Sequence, residues 1–127
     1  MREFTTRAQK IGKFGENIVK DTLIGEGLLL LQENYSTKYG EIDLILRDID
    51  GKIIFVEVKT VTKWSGGVSS PEEQFHERKQ GRIIATAQEF LHSSGVSHEN
   101  SWEIWLVVVF INTRSRKYRL RIWKQPF

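Results

Sequence analysis

The 127 residues contain no cysteine, which excludes disulfides and cysteine-ligated zinc. Apolar runs are short: Leu28–Leu31 and Trp105–Ile111 fall far below the length that spans a bilayer. The opening MREFTTRAQKIGKF holds no apolar stretch and does not read as a signal peptide. Together these absences point to a cytoplasmic protein. The three histidines, His76, His92 and His98, show no metal-ligand spacing. There is no phosphate-binding loop, no GxGxxG after a strand and no nucleophile elbow. Ser69 and Ser70 lack a local base. Acidic residues are missing from residues 104–127, which carry six basic ones: Arg114, Arg116, Lys117, Arg119, Arg121 and Lys124. Such an end favours a polyanionic partner, and equally suits an edge strand guarded by charge against aggregation.

What is present is an ordinary globular composition, 28% charged and 39% hydrophobic. The length suits a single domain, able to bury about two thirds of its unfolded surface. No repeat, low-complexity segment or linker divides it.

Thr5 or Thr6 is placed to cap a first helix reaching about Leu23, with Ile11, Phe14, Ile18, Val19 and Thr22 on one face. Gly12 and Gly15 weaken that helix by ~1 kcal/mol each, and their use is close approach to another backbone. Glu16 sits at the edge of the apolar arc. Spacing favours it as a surface partner of Lys20 at i,i+4; the other reading is a carboxylate aimed into a site. Gly25-Glu26-Gly27 ends the helix. Leu28–Leu31 reads as a short strand, with Gln32–Tyr39 leading out of it. Residues 61–76, with Gly66-Gly67, three serines and Pro71, read as a mobile loop. In it, Lys63 and Trp64 could touch a phosphate and stack on a base, or Trp64 could pack back on the domain. A second helix is expected over Glu77–His92, with Ile83, Ile84, Ala87, Phe90 and Leu91 inward. Gln80 falls in that arc and Lys79 and Arg82 flank it. Trp102–Asn112 reads as a central strand buried on both faces. Lys117–Trp123 alternates, with Arg119 and Arg121 on the outer side of an edge strand.

The chain is organised around Gly40-Glu41-Ile42-Asp43-Leu44-Ile45 and Phe55-Val56-Glu57-Val58-Lys59. If Asp48–Lys52 is the hairpin loop, Arg47 faces Ile53, Asp43 faces Glu57 and Glu41 faces Lys59. Alternation then puts Glu41, Asp43 and Ile45 on one face with Phe55, Glu57 and Lys59. Ile42, Leu44, Leu46, Ile54, Val56 and Val58 form the other. Opposed carboxylates ~4.5–5.5 Å apart at Cβ repel each other and call for a cation. With the Val58 carbonyl, Asp43 and Glu57 make an oxygen-rich site suited to Mg²⁺ or Mn²⁺, and Lys59 could orient water or stabilise developing charge. The competing reading is a structural ladder of salt bridges from Lys59 to Glu41 and Asp43.

Gly15-Glu16, Gly40-Glu41-Ile42-Asp43-Leu44-Ile45, Phe55-Val56-Glu57-Val58-Lys59-Thr60 and Arg78-Lys79-Gln80 stand in the order seen in the YraN family. That bacterial family resembles the PD-(D/E)xK nucleases, among them the archaeal Holliday-junction resolvases. The resemblance runs from about residue 12 to 92. It implies an α/β fold with a restriction-endonuclease-like core, a central mixed sheet flanked by helices. It further implies a Mg²⁺-dependent endonuclease acting on DNA, and allows a homodimer on branched substrates. Asp43 and Glu57 would bind metal, Lys59 would position water, Glu16 would be the helix carboxylate completing the site, and Gln80 a polar group on the following helix. Two departures stand out: Ile42 precedes Asp43 where many such nucleases have proline, and Phe75-His76-Glu77 replaces Val-Thr-Pro. A module that binds nucleic acid without cutting it stays open beside the nuclease.

Overall fold

The computed structural model describes residues 6–62, 77–96 and 100–124. The first helix, α1 (Arg7–Gly25), opens on a reciprocal cap at Thr6. The Thr6 hydroxyl accepts from the Gln9 N–H (3.1 Å) and the Thr6 N–H donates to Gln9 Oε1 (3.2 Å), satisfying two donors that the first turn leaves unpaired. Gly27, at φ 102, turns the chain out of the helix. There follow β1 (Leu29–Thr37), β2 (Gly40–Arg47), β3 (Ile53–Val61), α2 (Glu77–Ser93), β4 (Trp102–Asn112) and β5 (Lys117–Lys124). The strands form one sheet in the order β1-β2-β3-β4-β5, parallel between β3 and β4 and antiparallel elsewhere. The parallel pair is the one whose connection carries a helix, as a crossover requires. This is the mixed sheet between helices expected of the chain.

Among the described residues each sheet face carries one helix. On the α2 side, Ile83, Ala87 and Phe90 pack on Ile45, Phe55, Leu106 and Val108. On the α1 side, Ile18, Val19 and Leu23 pack on Leu44, Leu46, Val56 and Val107. β4 is buried from Ile104 to Ile111 because it alternates between the two clusters. The β2–β3 loop is tied by Asp48, whose Oδ1 accepts from the Asp50 and Lys52 N–H groups, both at 2.9 Å. That turn sets Arg47 opposite Ile53.

Three expectations change. β1 is one strand of nine residues, not a short strand with a tail; it is an edge strand, which tolerates a register shift at Leu31 and an exposed Gln32, with Glu33 and Asn34 half-buried. Phe14 does not join the buried face of α1 and is 55% exposed. The helix docks through Gly15, which turns Phe14 aside toward β4 and β5. The third change concerns Ile42, which packs with Ile45 and Phe55 on the α2 side, whereas Leu44 and Leu46 face α1. Its neighbour across the ladder, Tyr35, also joins the α2 side, while Glu33 pairs with Lys20 of α1. Both strands therefore change faces at one level, where Asn34 takes a left-handed φ of 51° and the residue between Ile42 and Leu44 is Asp43.

Candidate active site at the β2–β3 fork

Pairing of β2 with β3 ends at Leu44 and Val56. Beyond that level β2 stays with β1 as far as Gly40, and β3 stays with β4 as far as Val61. The sheet thus forks, and the freed N–H of Val58 needs a partner. Asp43 supplies it: Oδ2 accepts from the Val58 N–H at 2.7 Å. Asp43 therefore reaches across the fork and does not stand as a ladder partner opposite Glu57.

Glu16 arrives from the α1 side. A Cβ on Gly15 would stand 2.0 Å from Thr60 Oγ1 and 3.1 Å from Thr60 Cβ. Only glycine allows α1 to lie this close to β3, and the contact sets the neighbouring Glu16 near enough to Asp43 for its charge to raise that carboxyl. Glu57 belongs to the α2 side, where Lys79 Nζ lies 3.5 Å from its Oε1. Carboxylates from both faces and from the fork thus lie near enough to raise one another's pKa.

The electrostatics follow from that meeting. Burial, then the charge of Glu57, then Glu16 push the Asp43 carboxyl from its ordinary 3.8 up to about 8, against the opposing effect of the Val58 N–H. The Glu57 carboxyl is also raised, first by burial and then by Glu16 and Glu41, with Lys79 pulling the other way. Without an added cation, ionising the whole cluster is costly. Lys59 is exposed and lines a cleft of 640 Å³ with Glu16, Val58, Thr60 and, from α1, Arg7 and Ile11. Among the described residues Lys59 forms no ion pair with Glu41, Asp43 or Glu57, so the salt-bridge ladder is not made. Lys20 pairs with Glu33 at 3.1 Å, while Glu16 takes Lys13 at 3.5 Å, which corrects the expected Glu16–Lys20 pair.

Gln80 is half-buried in the first turn of α2, next to Lys79; Arg82 is exposed further along the helix. Arg114 and Arg116 stand in the β4–β5 turn, and Lys117, Arg119 and Arg121 on β5, all exposed. Register puts Arg121 in the cross-sheet row of Lys59, and Arg119 in that of Val61, two strands away, or ~10 Å at the usual strand spacing. Arg119 lies over the Phe110 ring (5.1 Å) and Arg121 over Trp123 (4.7 Å), so both also shield apolar surface. Lys63 and Trp64 lie outside the described residues. Lys79, expected to meet nucleic acid, lies against Glu57. Arg7, which lines the cleft, carries no sign in the sequence pattern. The helical glycine preceding Glu16 was the available sign of close approach.

Among the described residues, no three His, Asp or Glu side chains stand in a preformed metal cage. The donor chemistry nevertheless fits a hard divalent ion. Asp43 and Glu57 are carboxylates crowded together, with the Val58 carbonyl next to Glu57 in sequence, and a cation would relieve their repulsion.

The fold and this site define a small α/β protein with a carboxylate-lined fork at one end of a mixed sheet. The chain belongs to the uncharacterised protein family UPF0102, the YraN family, whose model matches residues 15–121. A UPF0102 protein of Clostridium botulinum strain 657 is 34% identical over 92% of this chain and 93% of its own length. One from Alkaliphilus oremlandii is 33% identical over 94% of this chain and 98% of its own. Among solved structures, that of Pyrococcus furiosus SfsA in complex with Ca²⁺ aligns with a TM-score of 0.38 and 15% identity, covering 90% of this chain and 62% of that one. No helix among the described residues is long and apolar enough to cross a membrane.

Proposed function

We propose that this protein is a metal-dependent endonuclease that hydrolyses phosphodiester bonds in DNA. The observation that carries the reading is the convergence of Glu16, Asp43 and Glu57 at the fork, with the Asp43 carboxyl raised to about 8. Asp43, Glu57 and the Val58 carbonyl would hold Mg²⁺ or Mn²⁺. When bound, such an ion acidifies a coordinated water and stabilises charge on a phosphoryl oxygen. Asp43 is oriented for this by the Val58 N–H, which fixes one of its oxygens. Glu16, whose charge acts on Asp43, would order water on the α1 side, and Gln80 would orient a substrate oxygen from α2. Lys59, exposed beside the fork, would position the attacking water. Lys79 holds Glu57 in place and adds positive charge where a phosphate would approach. Lys63, Trp64, Arg82 and the basic residues Arg114, Arg116, Lys117, Arg119 and Arg121 would guide the backbone of the nucleic acid. A homodimer would match a branched substrate offering two symmetric cuts.

A second reading is a module that binds nucleic acid without cutting it. The 3.5 Å contact of Lys79 with Glu57 favours it, because Lys79 then supplies a cation that a metal would otherwise provide. Incubating single-stranded, duplex and branched DNA with wild type, Asp43→Asn and Lys59→Met in Mg²⁺, Mn²⁺ or EDTA separates the two. The nuclease reading expects cleavage that requires the ion and is lost in both variants. Binding unchanged by EDTA, with no cleavage of any substrate, would establish the second.

A further inference from the structure

A second groove, of 310 Å³, lies where the start of α1 meets the β4–β5 turn. It is lined by the apolar Ile11 and Ile111, the aromatic Phe14 and Tyr118, and the cationic Arg7, Lys10 and Arg116. Phe14 and Tyr118 are 55% and 52% exposed, large for aromatic side chains lining one groove. None of the described residues that line it is acidic. Arg7 and Ile11 line both this groove and the cleft that reaches Glu16 and Lys59.

The cations are placed against the interest of the helix. Arg7 and Lys10 occupy the first turn of α1, and no acidic residue is there to offset them. Positive side chains at that end add to the positive end of the helix dipole instead of opposing it. The cost falls on the free protein and is recovered on contact with an anion. The occupant must therefore present flat apolar faces and a negative backbone together. A single-stranded nucleic acid does so: its bases stack on aromatic rings while cations track its phosphates.

We propose that this groove receives an unpaired nucleotide, stacked on Phe14 and Tyr118 with its phosphates at Arg7, Lys10 and Arg116, and so leads a single strand to the carboxylate fork. Delivery of the strand to the fork rests on the nuclease reading; the binding itself does not. The test is anisotropy of a labelled single-stranded oligonucleotide and of a blunt duplex, in EDTA so that no cleavage intervenes. Phe14→Ala/Tyr118→Ala should weaken single-strand binding by about 10-fold or more, as loss of base–aromatic stacking does, and leave the duplex nearly unchanged. Phe14→Trp/Tyr118→Phe should bind as wild type. If the alanine pair loses its helical circular dichroism, Phe14→Leu/Tyr118→Leu keeps apolar bulk and removes the π faces. An equal loss on both substrates, or no loss, overturns the proposal. So does sedimentation showing a wild-type dimer that the same variants dissociate, because the groove would then be a contact between two copies. A protein that binds in this way yet cuts nothing leaves the groove standing and removes the nuclease reading; one that cuts but binds single strands regardless of Phe14 and Tyr118 does the reverse.

Discussion

Replacing Asp43 by asparagine should make the protein more stable. In the folded state the Asp43 carboxyl is lifted from 3.8 to about 8, mainly by burial and then by the charges of Glu57 and Glu16. The folded state thus holds a proton that the unfolded chain has released. Stability conferred by that proton is complete at acid pH, declines as pH rises above about 4, and levels off past about 8. The full displacement sets an upper limit of roughly 6 kcal/mol at 1.36 kcal/mol per pH unit. Relaxation and water at a site open on one side reduce the effective penalty for a charged group to a few kcal/mol. The asparagine of Asp43→Asn would keep an oxygen for the Val58 N–H, which sits 2.7 Å from Oδ2 in the native protein, and would carry no charge. We expect a gain of ~2–3 kcal/mol at pH 8 and little difference near pH 4, where both folded side chains are neutral. Urea unfolding of both proteins across that range, in EDTA, measures it. A variant less stable than wild type at pH 8, or a difference independent of pH, would rule out a carboxylate cluster under repulsion.

Gly15→Ala should destabilise by ~1–2 kcal/mol, because the cost of overpacking against Thr60 exceeds the gain in helix propensity; adding Thr60→Ala should recover much of it, as a double-mutant cycle in denaturant would record. Arg116 stands at φ 60, a left-handed backbone where glycine is less strained, so Arg116→Gly should raise stability by up to ~1 kcal/mol while weakening nucleic-acid binding and flattening its salt dependence. Divalent-ion binding should tighten with rising pH up to about 8 and release protons, because an ion must displace the proton held by Asp43; calorimetry in two buffers of different ionisation enthalpy would count them.

The parts of the molecule that were legible in the chain share a reason. The five-residue loop at Asp48 fixed the hairpin register by counting, so Arg47↔Ile53 through Leu44↔Val56 follow directly. The eight apolar residues from Ile104 to Ile111 could only be a strand covered on both faces. The period-2 rule failed at Ile42 because it presumes an unbroken pleat, and Asn34 and Asp43 mark the level where β1 and β2 change faces. Asparagine tolerates a left-handed φ, but nothing in the residue type says that it will adopt one. Glu16 was ambiguous from helical spacing alone, since its position depends on how closely α1 docks. That docking distance is set by Gly15 against Thr60, a contact between residues far apart in the chain that no local pattern reveals. Phe14 falls on the apolar arc by spacing alone, whereas the side of α1 that docks is set by the Gly15 contact, which a face counted from α1 alone does not register.

Whether the fork is a catalytic metal site is decided by calorimetric titration of Mg²⁺ and Mn²⁺ into wild type and Asp43→Asn, with cleavage of the DNA panel followed in the same buffers. A divalent site in the wild type, lost together with cleavage in Asp43→Asn, is the expected result. Cleavage that persists in Asp43→Asn, or a wild type that binds neither ion at pH 8, would contradict it.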